Sequence, residues 1–323
     1  MNNIFLIARK EYKDAMKNKL FLVVFLLLVV LTVTSIIVAS LLFQSKVLDY
    51  QNSVQALKAS GKIISISEPQ FSPLKLLRGF VDYLEIIGAV LGIVLGYYSI
   101  AKEKNRRTLQ LILTRPVKRA DIISGKLLGN TLLISTAVIL IGIISWLSLV
   151  FIGHATLSGL EYMKLLIVIL LSIVYIIMFF SLSSFLSLKM KTLSNALIIC
   201  FVIWLVFVLI IPQIGDTMDP DNQVPGGLFH SLNLDKPHEI QVLSHFSSYE
   251  INRDHLEQSS ITKHYERASF AFLGIKDEFN DLPLSSIFAQ KWIDLLVVFF
   301  FTILCIIGNY YMVYRKDTLS KGE

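Results

Sequence analysis

Side chains able to do chemistry are sparse in this sequence, and their spacing excludes the commonest catalytic constellations. No two of the six histidines, His154, His230, His238, His245, His255 and His264, stand at i, i+3 or i+4, and neither cysteine lies near them. Zinc-type ligand sets read from sequence need such close spacings. A polar loop is the plainer reading of these histidines, with metal handling the lesser alternative. The chain contains neither H-E-x-x-H nor G-x-S-x-G, the signatures of zinc-dependent and serine hydrolases. Cys200 and Cys305 fall inside apolar runs, where a free thiol packs as a small hydrophobe. A phosphate-cradling G-x-x-x-x-G-K-[ST] is also missing. Gly125-Lys126 is followed by Leu127 and runs straight into an apolar block, so it cannot wrap a phosphate as a P-loop does. One dense polar stretch remains, residues 101–126, with eight Lys or Arg and the carboxylates Glu103 and Asp121.

The elements that position that stretch are membrane spans. The chain has 323 residues, 54% hydrophobic and only 17% charged, with a mean hydropathy of +0.64. Soluble domains average about 25% charged residues, so a water-solvated surface of ordinary size is excluded. Apolar runs of about 18 residues or more cross a ~30 Å hydrocarbon core as helices. Six can be read, near 20–43, 81–101, 127–152, 163–188, 193–212 and 292–314. The first is too long for the 7–15-residue core of a signal peptide and lacks a small-x-small cleavage pattern, so it reads as a retained span.

Charge sets the orientation. With the N-terminus in the cytoplasm, the inside segments 1–19, 102–126, 189–192 and the tail after Tyr314 carry 18 of the 30 Lys and Arg in about half the length of the outside segments. This is the positive-inside pattern, and it places both termini in the cytoplasm of a cell-membrane protein. The net charge of +6 follows topology and does not form a nucleic-acid-binding stripe. The expected layout is an all-α membrane protein with six transmembrane helices. An amphipathic entry helix occupies 1–19. Spans one to five occupy 20–213, with a cytoplasmic loop at 102–126. A partly helical extracytoplasmic loop fills 214–291, span six 292–314, and a tail 315–323.

Several local patterns refine this layout. In residues 3–19, Ile4, Ile7, Ala8, Tyr12, Ala15 and Met16 share one helical face, opposite Arg9, Lys10, Lys13 and Lys17. That pattern suits a helix lying in the membrane interface. Residues 45–60 read as a short separate amphipathic helix, and Leu74–Phe80 as a second interfacial segment leading into span two. Gly88, Gly92 and Gly96 recur at four-residue spacing and mark a helix-packing face. Asp82 and Glu85 near the outer end of span two either reach headgroups or serve function. The segment from 212 to 291 is too long to lack structure. It opens on turn residues, then predicts one or two helices over about 237–272, the first capped by Asp235.

The stretch from Glu103 to Lys126 resembles the signature between spans two and three of ABC-2 type permease subunits of ABC exporters. The positions that carry the match are Glu103, Thr108, Leu109, Leu111, Leu113, Thr114, Pro116, Val117, Arg119, Gly125 and Lys126, while Arg107 stands where glycine is usual. The opening Ala8-Arg9-Lys10-Glu11 resembles the family's amphipathic entry. The resemblance implies a dimer of six-span halves, as homodimer or heterodimer, driven by a separate cytoplasmic ABC ATPase that uses ATP and Mg. No cofactor is then bound directly and the chain is not itself an enzyme. It also implies a coupling role for Glu103, Arg106, Arg107, Thr108, Leu109, Pro116, Arg119 and Lys126. An ATP-independent transporter or channel is the alternative, but its coupling would need ionisable groups in mid-span, and the apolar blocks are nearly free of them. An intramembrane enzyme would need convergent polar groups that the spans lack.

Overall fold

A computed structural model describes residues 3–59, 72–105, 118–153, 156–219, 224, 227–232, 236–280 and 282–314. Among these residues there is no β-strand, and six helices are long and apolar enough to cross a membrane. They are Lys19–Ala56, Pro73–Lys104, Arg119–Phe151, Gly159–Lys189, Leu193–Met218 and Leu284–Tyr314, here spans one to six. The entry helix, Asn3–Met16, precedes them. Asn18 separates it from span one and caps the latter, its Oδ1 accepting from the Leu20 amide at 3.0 Å. A capping box opens span four: the Glu161 amide donates to Ser158 Oγ and the Glu161 carboxylate accepts from the Ser158 amide at 2.7 Å.

Three sequence expectations are corrected. Residues 45–59 are not a separate amphipathic helix, because the helix of span one runs unbroken from Lys19 to Ala59. Leu74, Leu76, Leu77 and Phe80 do not form a separate surface-lying segment. They are buried in the first turns of span two, which starts at Pro73. Proline suits that first position because its missing N–H is unpaired there in any helix. The helix that carries span six starts at Leu284, ahead of Trp292.

Among its described residues, the long segment after span five holds two short turns, Leu228–Ser231 and Asp277–Phe279, and three longer helices, Lys236–His245, Ser247–Gln258 and Ile261–Leu273. Asp235 lies outside the described residues. The last two helices form a hairpin through Ser259 and Ser260, tied by Arg267 to Asp254 and Glu257. This hairpin does not merely cover the bundle. Tyr265 Oη meets Ser172 Oγ at 2.7 Å near the middle of span four, and Tyr265 stacks on Tyr175 at 4.3 Å between centroids. Tyr265, Ala268, Phe270, Ala271, Phe272 and Leu273 are buried, and burying this apolar face draws the helix in between spans. Gly274 ends it in the left-handed conformation, at φ 63°.

The hairpin turn plugs a defect in span five. Residues Leu205–Ile210 form a π turn in which the Ile211 amide bonds the Val206 carbonyl. The Phe207 carbonyl would then await residue 212, which is proline and has no N–H. Ser260 Oγ and Thr262 Oγ1 each donate to that carbonyl at 2.6 Å, as a backbone group at membrane depth requires. A second π turn, Leu84–Gly88 in span two, has its Glu85 and Ile86 carbonyls bonded by Tyr175 Oη at 2.9 Å and Trp204 Nε1 at 3.2 Å. Gly88, Gly92 and Gly96 all face span four. A Cβ on Gly92 would stand 2.6 Å from the Ile176 carbonyl oxygen, so spans two and four touch backbone to backbone at this seam.

Candidate coupling site

The entry helix docks on the first turns of span three because two glycines there leave room for it. A Cβ on Gly125 would meet Ile7 Cβ at 2.6 Å, and one on Gly129 would meet the Ala8 carbonyl oxygen at 2.5 Å. Ala8 and Glu11 are buried in the contact, whereas Phe5, Leu6 and Met16 point outward. The buried stripe therefore runs through Ala8 and Glu11, and excludes the exposed Met16 of the apolar face read from sequence.

A buried charge cluster forms where the entry helix, the end of span two and the start of span three meet. Lys126 Nζ lies 2.8 Å from Glu103 Oε1, 3.1 Å from Glu11 Oε1, and donates to the Ser99 carbonyl at 2.7 Å. All three charged side chains are about 95% buried. A buried ion is tolerable only when paired and hydrogen-bonded, and this ammonium has three acceptors for its three protons. Lys10, half-exposed, adds a second cation 3.4 Å from Glu103 and 3.6 Å from Glu11, which balances the two carboxylates. Burial disfavours the Lys10 ammonium, but the Glu11 and Glu103 carboxylates outweigh it and hold its pKa above the usual 10.5. Lys102 pairs with Asp14 one turn along the entry helix. Asn130 Nδ2 donates to the Lys126 carbonyl at 2.9 Å.

The same end of the bundle is tied to spans four and six. Lys104 Nζ donates to the Met190 carbonyl at 2.5 Å, Ser124 Oγ meets Tyr310 Oη at 2.7 Å, and Arg119 Nη1 donates to the Val313 carbonyl at 3.4 Å. Ile100, Ile123, Leu188, Met312 and Val313 pack into a small apolar cluster beside these bonds. Both ends of the segment 106–117 are thus rooted in one node.

Of the residues singled out from sequence, Glu103 and Lys126 come together, while Arg119 anchors on span six instead. Arg106, Arg107, Thr108, Leu109 and Pro116 lie outside the described residues. Sequence reasoning passed over Glu11, Lys10, Asp14 and Asn130 as cluster members, because their partners are remote in the chain. One signal was present: Gly125 and Gly129 at i, i+4, the spacing that seats a second helix.

Among the described residues no three His, Cys, Asp or Glu side chains converge as a metal site. His264 instead bridges the hairpin to span six, with Nδ1 2.6 Å from Asp294 Oδ1 and Nε2 2.9 Å from the Gln258 carbonyl.

Among characterised proteins, the "Probable ABC transporter permease protein NosY" of Stutzerimonas stutzeri is 31% identical over 140 residues, which cover 43% of this chain and 43% of that relative. The alignment thus spans less than half the length of either protein. The family model for ABC-2 family transporter proteins matches residues 5–318, nearly the whole chain, and the protein belongs to that family.

Proposed function

We propose that the chain is the permease half of an ATP-driven ABC-2 exporter, with the entry-helix end in the cytoplasm. The observation that carries this reading is the buried Glu11–Lys126–Glu103 cluster, which fixes the entry helix to both roots of the 106–117 segment. A force applied to that segment reaches spans two and three through Glu103 and Lys126, span four through Lys104, and span six through Arg119 and Ser124. Packed helices with discrete arrangements pass such a displacement on as rigid elements. A separate ATPase, using ATP and Mg, would dock on the segment and bias the two arrangements by differential contact. Its site would combine Arg106, Arg107, Thr108, Leu109 and Pro116, basic residues for orientation and apolar ones for a groove. Spans one and five present outward apolar side chains such as Leu26, Val30, Ile198 and Val202, which suit the bilayer and a second permease subunit.

The test is reconstitution of the full chain with its co-purifying ATPase. Charge reversal of Arg106 and Arg107 is expected to leave membrane insertion intact, while ATPase retention and stimulated ATP turnover fall about tenfold, as loss of two interfacial charges would give. Unchanged retention and turnover would remove the coupling role of this segment.

A further inference from the structure

A cavity of about 610 Å³ lies between spans four, five and six in the half of the bundle nearer the entry helix. Phe179, Phe185, Phe207, Leu304 and Tyr311 line it, and Ser259 and Ile261 of the hairpin turn close its far end. It falls within the usual 300–1,000 Å³ of ligand pockets. From Phe301 to Tyr311 it follows span six for about 15 Å, half of a ~30 Å hydrocarbon core and so the depth of one leaflet. Its near end is cationic. Lys189, at the foot of span four, holds its ammonium 5.6 Å over the ring of Phe185, a wall of the cavity. Lys191 follows two residues later, and both lysines are exposed. No carboxylate is seen within ion-pair distance of either among the described residues.

We infer that this cavity is a binding site for one anionic phospholipid of the leaflet at the entry-helix end, with an acyl chain between spans four, five and six and the phosphate at Lys189 and Lys191. The wall is almost wholly apolar and includes the outward-facing Leu304, Ile307 and Tyr311, so the occupant enters from lipid. The two lysines give the preference for negative charge, since basic clusters at the membrane end of helices attract anionic headgroups. The roof at Ser259 is the turn that plugs Phe207, so the end of the acyl chain meets the hairpin directly.

Native mass spectrometry of the purified full chain, titrated with dioleoylphosphatidylglycerol, dioleoylphosphatidylcholine, dioleoylglycerol or water-soluble glycerophosphoglycerol, tests this. One phosphatidylglycerol per chain is expected, held about tenfold more tightly than phosphatidylcholine, with no retention of the headgroup alone. Lys189→Gln with Lys191→Gln should abolish that preference. Leu304→Trp or Ile307→Trp, at outward-facing positions on the cavity wall, should abolish tight binding of the lipid in chains whose helical circular dichroism is unchanged. Equal binding of the two phospholipids, or variants that bind as wild type, would overturn the site. So would a tryptophan variant that breaks a dimer while leaving lipid binding unchanged, which would assign the cavity to a second copy. The readout needs no ATPase, so its failure leaves the permease reading standing.

Discussion

Glu103 and Lys126 stand on either side of the segment 106–117 and meet at 2.8 Å in a buried ion pair. The pair closes the base of that segment, and Glu11 joins it from the entry helix at 3.1 Å. Three elements distant in sequence therefore share one ammonium. The arrangement makes definite claims about what its disruption does.

Removing the shared cation is the severest change. Lys126→Met leaves two buried carboxylates facing each other, and stability should fall by about 3–5 kcal/mol, the usual cost of breaking a buried pair. Glu11→Gln and Glu103→Gln added to Lys126→Met should recover most of that loss, since an uncharged cluster of similar shape leaves no uncompensated buried charge. Thermal unfolding of the purified chain distinguishes the two. Equal losses would mean that the charges are not what makes the site sensitive.

The seat of the entry helix is steric. Gly129→Leu places a side chain where the Ala8 backbone sits, so the helix must lift. Hydrogen exchange over residues 3–16 should then accelerate at least tenfold, while the middle of span four keeps its protection. Unaltered exchange in residues 3–16 would contradict the docking.

Lys10 gives the node a pH dependence in the alkaline range. Its folded pKa is raised above 10.5. Its contribution is therefore complete below the unfolded value and disappears as pH rises through the folded one. The difference in Tm between wild type and Lys10→Gln should stay constant from about pH 6 to 9 and shrink beyond about 10.5. A difference that shrinks below pH 9 would show that the carboxylates do not hold this ammonium.

Span five offers a double-mutant cycle. Ser260→Ala with Thr262→Val strips the Phe207 carbonyl of both donors and should cost about 1–3 kcal/mol. Pro212→Ala restores an N–H at the position that π geometry pairs with that carbonyl. In that background the same double change should cost less than half as much. Strict additivity would mean that the hydroxyls do not compensate for the proline.

Much of this architecture is legible in the residues themselves. Apolar run length gives six spans because a bilayer demands it, and the signature from Glu103 to Lys126 gives the family. The errors fall where local pattern and tertiary packing diverge. Residues 45–59 look amphipathic, yet nothing breaks the helix, so span one simply continues. Leu74–Phe80 look interfacial because Lys75 and Arg78 are among them, but the intervening leucines are buried against other spans. The hairpin was legible as helical but not as inserted, because its charged residues sit on the same short helices as the buried face of Tyr265, Ala268 and Phe272. Glu11 could not be chosen over the other charges of the entry helix, since its partners come from two other helices. Periodicity reports which face is apolar, and it is silent on which lone charge will be buried in a pair.

The central claim is that a separate ATPase drives this chain through the node around Lys126. Its most direct test is affinity capture of the full chain from native membranes, followed by assay of ATP turnover in the captured complex before and after Glu103→Ala. The account predicts a stably bound ATPase in both samples and, in the variant, turnover reduced to that of the free ATPase subunit. A correctly inserted wild-type chain that repeatedly brings down no ATPase, or a variant with undiminished turnover, would contradict it.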